Sequence, residues 1–217
     1  AAPPRARPPA RRAGRAWASP AGLGVWLSVV LRPAALPSPG LLPLRVGLAA
    51  AAALDAFAAP AEVRVKWPND LILAGAKLGG ILCEGNWEGS VPAFVVVGIG
   101  VNVAHSPADF PEAIRPHATS LRIAAGWSPA RVDVAGALVR AVSSLPARLP
   151  PRLDPAETDA LEHRDALRGR VVEVTSLAEA PLTGTALGIS PEGALLVRTP
   201  GGVLRALHAG TVRPIPS

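Results

Sequence analysis

Val63-Arg64-Val65-Lys66-Trp67-Pro68-Asn69-Asp70 is the stretch on which the fold turns. Its first five residues alternate apolar and charged, the period-2 pattern of a strand with one buried face. Val63, Val65 and Trp67 therefore point one way, and Arg64 and Lys66 the other. Pro68 lacks a backbone donor and keeps Trp67 out of the helical region, which ends the strand. Asn69-Asp70 then supplies a turn. Lys66 is held at a strand end, facing away from the core. A compact ammonium fixed there suits a phosphoryl or carboxylate oxygen that gains charge during a reaction. A plain surface lysine at a strand end satisfies the same pattern.

Downstream, residues 71–73, 77–83 and 93–103 read as further strands. In the last of these, Val95, Val97, Ile99 and Val101 share one face and Val96, Gly98, Gly100 and Asn102 the other. That second face is bare in the middle, where a flat ligand or another backbone can come close. Asn102 offers a paired donor and acceptor suited to an adenine or ribose edge. Lys77 with Gly79-Gly80 makes a similar patch. A bulge or a close strand contact accounts equally well for the glycines.

Upstream, residues 44–58 read as an alanine- and leucine-rich helix closed by Pro60, residues 25–31 as a buried strand, and residues 33–43 as a proline-rich connection. Residues 1–16 read as loop, because prolines 3, 4, 8 and 9 forbid a helix. Toward the other end, Ser128-Pro129 reads as the cap and first position of a helix over 130–145. A proline-rich break at 146–155 and a polar helix over 156–167 follow. Beyond Gly169, short strands at 171–175, 182–189, 194–198 and 203–207 alternate with turns at Pro191-Glu192-Gly193 and Gly201-Gly202. This tail reads as a small β-barrel.

Composition narrows the classes of function. Nearly half of the 217 residues are hydrophobic, which excludes a disordered chain. The apolar run 46–59 contains Asp55 and is read as too short for a bilayer span. With no signal-like opening and a single cysteine, Cys83, the chain is expected to be cytoplasmic, without a membrane partner. The net charge of +6 comes from the first 54 residues, which hold seven arginines and no acid. The rest carries fifteen basic and sixteen acidic residues, so a nucleic-acid partner is not expected. Only two lysines, Lys66 and Lys77, stand against twenty arginines. Two survivors so close together point to places where a point charge is wanted. No phosphate loop or full dinucleotide fingerprint is present. Histidines 105, 117, 163 and 208 lack metal-ligand spacing, so no metal site is assigned. Arg12, Gly14, Arg15 and Trp17 form a loop able to fold over an anion, with the arginines gripping it and the indole as an apolar wall.

Together these pieces resemble the biotin–protein ligase family. Lys66-Trp67-Pro68-Asn69-Asp70 matches its Lys-Trp-Pro-Asn-Asp motif, and Lys77-Leu78-Gly79-Gly80-Ile81-Leu82 matches its Lys-x-Gly/Ala-Gly-Ile-Leu strand. Gly98-Ile99-Gly100-Val101-Asn102 matches Gly-x-Gly-x-Asn, and Gly14-Arg15-Ala16-Trp17 the end of a ligand-closing loop. The resemblance implies an α+β fold: a mixed β-sheet backed by helices, related to class II aminoacyl-tRNA synthetases, over residues 1–168. An SH3-like β-barrel over 169–217 would follow. It implies biotinyl-5′-AMP formation from biotin and MgATP, then transfer to a lysine of a biotin carboxyl carrier protein. On this resemblance Lys66 contacts the biotin carboxylate and α-phosphate, Arg12 and Arg15 hold the adenylate phosphate, and Trp17 covers the ligand. Asn102 meets the adenine or ribose side; Lys77, Gly79, Gly98, Gly100 and Arg213 complete the site. A homodimer is a further partner consistent with the resemblance. Lipoate–protein ligases, expected to lack this motif and tail, and a non-catalytic nucleotide- or carrier-binding module are the alternatives.

The chain departs from the family in the loop, where Pro9-Ala10-Arg11-Arg12-Ala13-Gly14-Arg15 stands against Gly-Arg-Gly-Arg-Arg-Gly-Arg. The family's Ser-Thr-Asn turn and the glutamine before the loop have no counterpart and are expected to lie upstream of Ala1, with the first strand and helix. Residues 1–16 are accordingly predicted to lack order without ligand. Relative to an intact ligase, this chain should bind nucleotide better than biotin, since unmatched polar groups of the biotin ring weaken its binding by about 1–3 kcal/mol each. Calorimetric titration with each ligand checks this, and micromolar biotin binding contradicts it.

Overall fold

The computed structural model describes residues 11–12, 15–16, 21–89, 91–176 and 180–215, with side chains from residue 21 onward except at Val91. A two-residue hairpin, β1 (Arg11–Arg12) and β2 (Arg15–Ala16), pairs where the sequence predicts only loop. No proline stands between Pro9 and Pro20, so the hairpin residues all have an N–H to pair with. The rest of the predicted disorder over 1–16 falls outside the described residues.

The main sheet runs β3 (Gly24–Leu31), β7 (Val91–Asn102), β6 (Ala76–Glu88), β5 (Asp70–Leu73) and β4 (Arg64–Lys66), in that spatial order. Every pairing within it is antiparallel, where the resemblance implies a mixed sheet. Short connections allow nothing else: β4, β5, β6 and β7 follow one another through tight turns. β6 and β7 run longer than predicted because the exposed end of β6, Glu84–Glu88, goes on pairing with the start of β7.

Helix α1 (Leu42–Ala58) packs on the inner face of this sheet, with Leu44, Val46, Ala50, Ala51, Leu54 and Ala58 fully buried. A β-carbon at Gly47 would sit 3.4 Å from Val65 and 3.6 Å from Ile81, so helix and sheet meet closely there. With the single 3-10 turn before it, this stretch spans Pro39–Ala58 and is long and apolar enough to cross a membrane, correcting the shorter run read from sequence. Its burial marks it as the core helix. One buried charge lies within it. Arg45 is 2 % exposed and bonds Glu157 at 2.6 and 3.1 Å and the carbonyls of Pro150 and Arg152. Such a cation is tolerated inside because its donors are matched.

Helix α2 (Leu121–Ala125), absent from the sequence reading, is capped by Ser120, whose Oγ accepts from Ile123, and ends at Gly126. Helix α3 (Arg131–Ser143) starts later than Ser128-Pro129 implies. Pro129 is buried and Ala130 extended, so the Ser-Pro pair packs as a strut and caps nothing. Helix α4 (Pro155–Arg164) opens on a capping box of Asp154 and Glu157. It ends earlier than predicted because the chain turns to pair with β4, Ala166 N–H donating to the Val65 carbonyl at 2.9 Å.

The tail forms a second antiparallel sheet. It consists of β8 (Val171–Thr175), β9 (Leu182–Ile189), β10 (Leu195–Arg198), β11 (Leu204–Leu207) and β12 (Thr211–Pro214), ordered β11-β10-β9-β8-β12. Its inner residues Val172, Val174, Ala186, Leu195, Val197 and Val212 join the same apolar cluster as the main sheet. Too small to hold a core alone, the tail borrows one. Trp67, 2 % exposed, donates its indole N–H to the Gly193 carbonyl at 3.0 Å. Gly193 has φ +82°, and a β-carbon there would strike Leu41 at 2.4 Å, so only glycine fits this turn.

Asp165 lies buried where α4 gives way to the tail, one oxygen accepting from Leu167 N–H at 2.8 Å and the other without a partner among the described residues. Burial pushes its carboxyl above the usual range, against backbone donors and the nearby arginines. Between the ordinary and the raised value the folded protein keeps a proton that the unfolded chain has released, so stability falls as pH rises through that window. Asp165→Asn removes this loss. Its stability relative to wild type should therefore improve as pH rises above the ordinary carboxylate range in urea unfolding; a pH-independent difference would contradict the assignment.

Candidate functional site

The register of the main sheet sets out a row across all five strands. Lys66 stands opposite Asp70, Asp70 opposite Gly80, Gly80 opposite Gly100, and Gly100 opposite Trp26. Directly paired residues share a face, so these five lie on the side away from α1. The next row is Leu82, Gly98 and Ser28, and beyond Gly100 on the other side Asn102 faces Gly24. No side chain of these strands stands between Asp70 and Trp26. The result is a glycine floor with charges at one side and an indole at the other.

The charged side is held rigidly. Val63, Val65 and Trp67 are buried as their alternation predicts, and Lys66 points from the opposite face with a fifth of its side chain exposed. Asn69 is pinned to β6 by two bonds, its side-chain amide donating to the Ile81 carbonyl and Ile81 N–H returning to Asn69. This fixes Asp70, whose two oxygens meet the two lysines: Lys77 Nζ at 2.5 Å and Lys66 Nζ at 3.4 Å. Asp70 is the charged member of this candidate site that sequence reasoning missed. It was legible as the acid of the quoted stretch, yet was read only as part of a turn.

At the far end, Asn102 is 8 % exposed and donates to the Thr119 carbonyl at 2.9 Å. One of its two amide protons is thus spent on holding the segment before α2. The same segment is tied to Lys77, whose carbonyl accepts from Thr119 N–H at 2.9 Å. Trp26, 38 % exposed, meets the buried His105 edge-on at 6.5 Å, and His105 stacks on Phe110 at 5.0 Å. Burial holds the His105 imidazole below its usual range, with Asp109 and the Leu23 carbonyl pulling the other way. Trp26 is a further member of the floor that the sequence alone did not single out, whereas Gly80 belongs to the patch with Lys77 and Gly79 read from sequence.

The two glycine readings separate here. A β-carbon at Gly79 would lie 2.3 Å from the Gly100 carbonyl oxygen, so Gly79 is required by the strand contact itself. A β-carbon at Gly98 would meet only Leu82, its carbonyl oxygen at 3.5 Å and its β-carbon at 3.8 Å, both ordinary contacts. Gly98 is therefore not demanded by packing. Arg12 and Arg15 are backbone partners in the β1–β2 hairpin, and Trp17 lies outside the described residues. Arg213 is exposed on β12 opposite Glu173, and no hydrogen bond or ion pair among the described residues joins it to the floor. Among the described residues no group of three or more histidines, cysteines or acids is placed to hold a metal ion.

Two family models match the chain: the biotin/lipoate A/B protein ligase family over residues 10–102 and the biotin protein ligase C terminal domain over residues 169–213. A biotin--[acetyl-CoA-carboxylase] ligase of Paracoccus denitrificans is 35% identical over 199 residues, 88% of this chain and 80% of that protein. The bifunctional ligase/repressor BirA of Bacillus subtilis is 33% identical over 207 residues, 91% of this chain. The chain spans only 61% of that relative's length. Among solved structures, the biotin protein ligase of Aquifex aeolicus in complex with biotin and ATP superposes with a TM-score of 0.76 at 26% identity, covering 95% of this chain and 84% of that one.

Gly79→Ala should cost about 1–3 kcal/mol of stability, because the overpacked strands must part. Gly98→Ala should change stability by no more than about 1 kcal/mol. Urea unfolding of both variants checks the contrast, and equal losses would remove the distinction.

Proposed function

The chain belongs to the biotin–protein ligase family, and from that membership we propose that it activates biotin with ATP and passes it to a lysine of a biotin carboxyl carrier protein. The observation that carries this reading is the in-register row from Lys66 to Trp26. In the first step a biotin carboxylate oxygen attacks the α-phosphorus, the bond to the β-phosphate oxygen breaks, and pyrophosphate leaves with its electron pair. In the second, the carrier lysine's amine attacks the acyl carbonyl, AMP departs, and a proton is released.

Negative charge collects on the α-phosphate oxygens and the biotin carboxylate during the first step. Lys66 places a fixed ammonium beside them, and rigid placement is what makes such a charge effective. Gly98 and Gly100 leave room for the adenylate, Asn102 meets its adenine or ribose side, and Lys77 reinforces the phosphate end. Gly79 contributes by letting the strands close. Arg12, Arg15 and Trp17 keep the roles that the resemblance gives them, gripping and covering the adenylate, and Arg213 stays a binding residue on the same footing. Mg2+ enters as the partner of the triphosphate, since Asp70 alone does not make a resident metal site.

Residues 1–168 are assigned as the catalytic domain and 169–217 as an SH3-like C-terminal domain, acting in the cytoplasm. The match of the tail to a biotin-ligase domain favours biotin over lipoate as the acid activated.

Lys66→Ala should lower biotin-dependent pyrophosphate release by at least about 100-fold, the scale of losing one preorganised charge at a reacting centre. Thermal unfolding should stay close to wild type, because Lys66 lies on the sheet face away from the core helix. Near-wild-type release from a folded variant would place the chemistry elsewhere.

A further inference from the structure

Asp70 poses a chemical problem on a floor meant for anions. A carboxylate there repels a phosphate, and it neutralises the two ammoniums that should attract one. Chance pairing is a poor account of it. The chain has twenty arginines but only two lysines, and both lysines meet this one carboxylate, on different oxygens. Asp70 is also fixed more firmly than a surface acid, since Asn69 is bonded to β6 in both directions. Its side chain is only 17 % exposed.

We propose that Asp70 is a positioning residue that stands in for the substrate's phosphate: in the empty site it holds Lys66 and Lys77 apart and aimed along the glycine floor, and it yields Lys66 when the triphosphate arrives. The unequal contacts fit this division. Lys77 bonds one carboxylate oxygen, whereas Lys66 stands 3.4 Å from the other, at the long edge of a hydrogen bond, and is the one on the row that can turn to a ligand. The resident carboxylate has two opposed effects. It keeps the lysines ordered before the substrate binds, which favours the chemical step. It also competes with the phosphate for the same cations, which weakens ground-state binding of ATP. Binding that is equal in ground and transition states does not speed chemistry, so weakening it costs little rate.

This inference rests on the ligase reading and differs from a purely structural role in the sign of one effect. In the full chain, Asp70→Asn keeps the shape and removes the charge. ATP affinity by calorimetry, and KM for ATP in biotin-dependent pyrophosphate release, should both improve about tenfold, the scale of one unit charge at about 5 Å in a partly solvated site. kcat should fall about tenfold because the lysines lose their common anchor. Asp70→Glu, which restores the charge, should return ATP affinity to within about threefold of wild type, while thermal unfolding of both variants stays close to wild type. Unchanged or weaker ATP binding by a folded Asp70→Asn variant overturns the proposal, as does an Asp70→Glu variant that binds ATP as tightly as Asp70→Asn. A wild-type chain that neither binds ATP nor releases pyrophosphate overturns the ligase reading along with it.

Discussion

The close approach of β6 and β7 at Gly79 and Gly100 underlies most of what this protein presents. The strands meet so tightly there that a single methyl group would lie against the opposite carbonyl. That contact locks the register at Gly79↔Val101 and Gly80↔Gly100. A slip of one residue would turn Val101, Ile99 and Val97 out of the core and bring glycines in. Because the register is fixed, Asp70 and Trp26 fall on one line with the bare glycines between them. The same constraint that pairs the strands thus clears the floor of the site.

The Lys-Trp-Pro-Asn-Asp stretch joins the two halves of the molecule. Lys66 and Asp70 face the floor, while Trp67 faces inward and bonds the Gly193 turn of the tail. Asn69 holds the stretch to β6. Five consecutive residues therefore serve the site, the core and the second sheet at once. The buried Arg45 acts likewise for the linker, gathering Glu157 and two carbonyls around one guanidinium. These ties explain how a tail with so few inward residues stays packed on its neighbour.

Much of the site was legible from local pattern. The alternation around Lys66 and along Val95 to Asn102 gave the correct faces, because the side-chain period of a strand leaves no other choice once one face is apolar. The helix, read as 44–58 and found over Leu42–Ala58, and four of the five tail strands followed from composition and turn residues, whereas β12 did not. Errors came where a longer contact overrode a local signal. Pro129 was drawn into packing, so Ser128 caps nothing. The end of α4 was taken up by pairing with β4. The Asp154-Pro155-x-Glu157 capping box was present in the sequence and would have placed that helix start correctly.

Asp70 illustrates the remaining gap. Sequence alone determined that Lys66 ends a strand on the face opposite the core and that glycines clear the neighbouring strands, since both follow from periodicity and residue size. It also determined the family, through motifs whose order and spacing are specific. Only the tertiary structure decided that the two lysines share one carboxylate, that Gly79 serves the strand contact while Gly98 does not, and that Trp26 closes the row. Those facts depend on which residues meet across strands, and cross-strand register is set by packing of the whole sheet, which no short stretch of sequence contains.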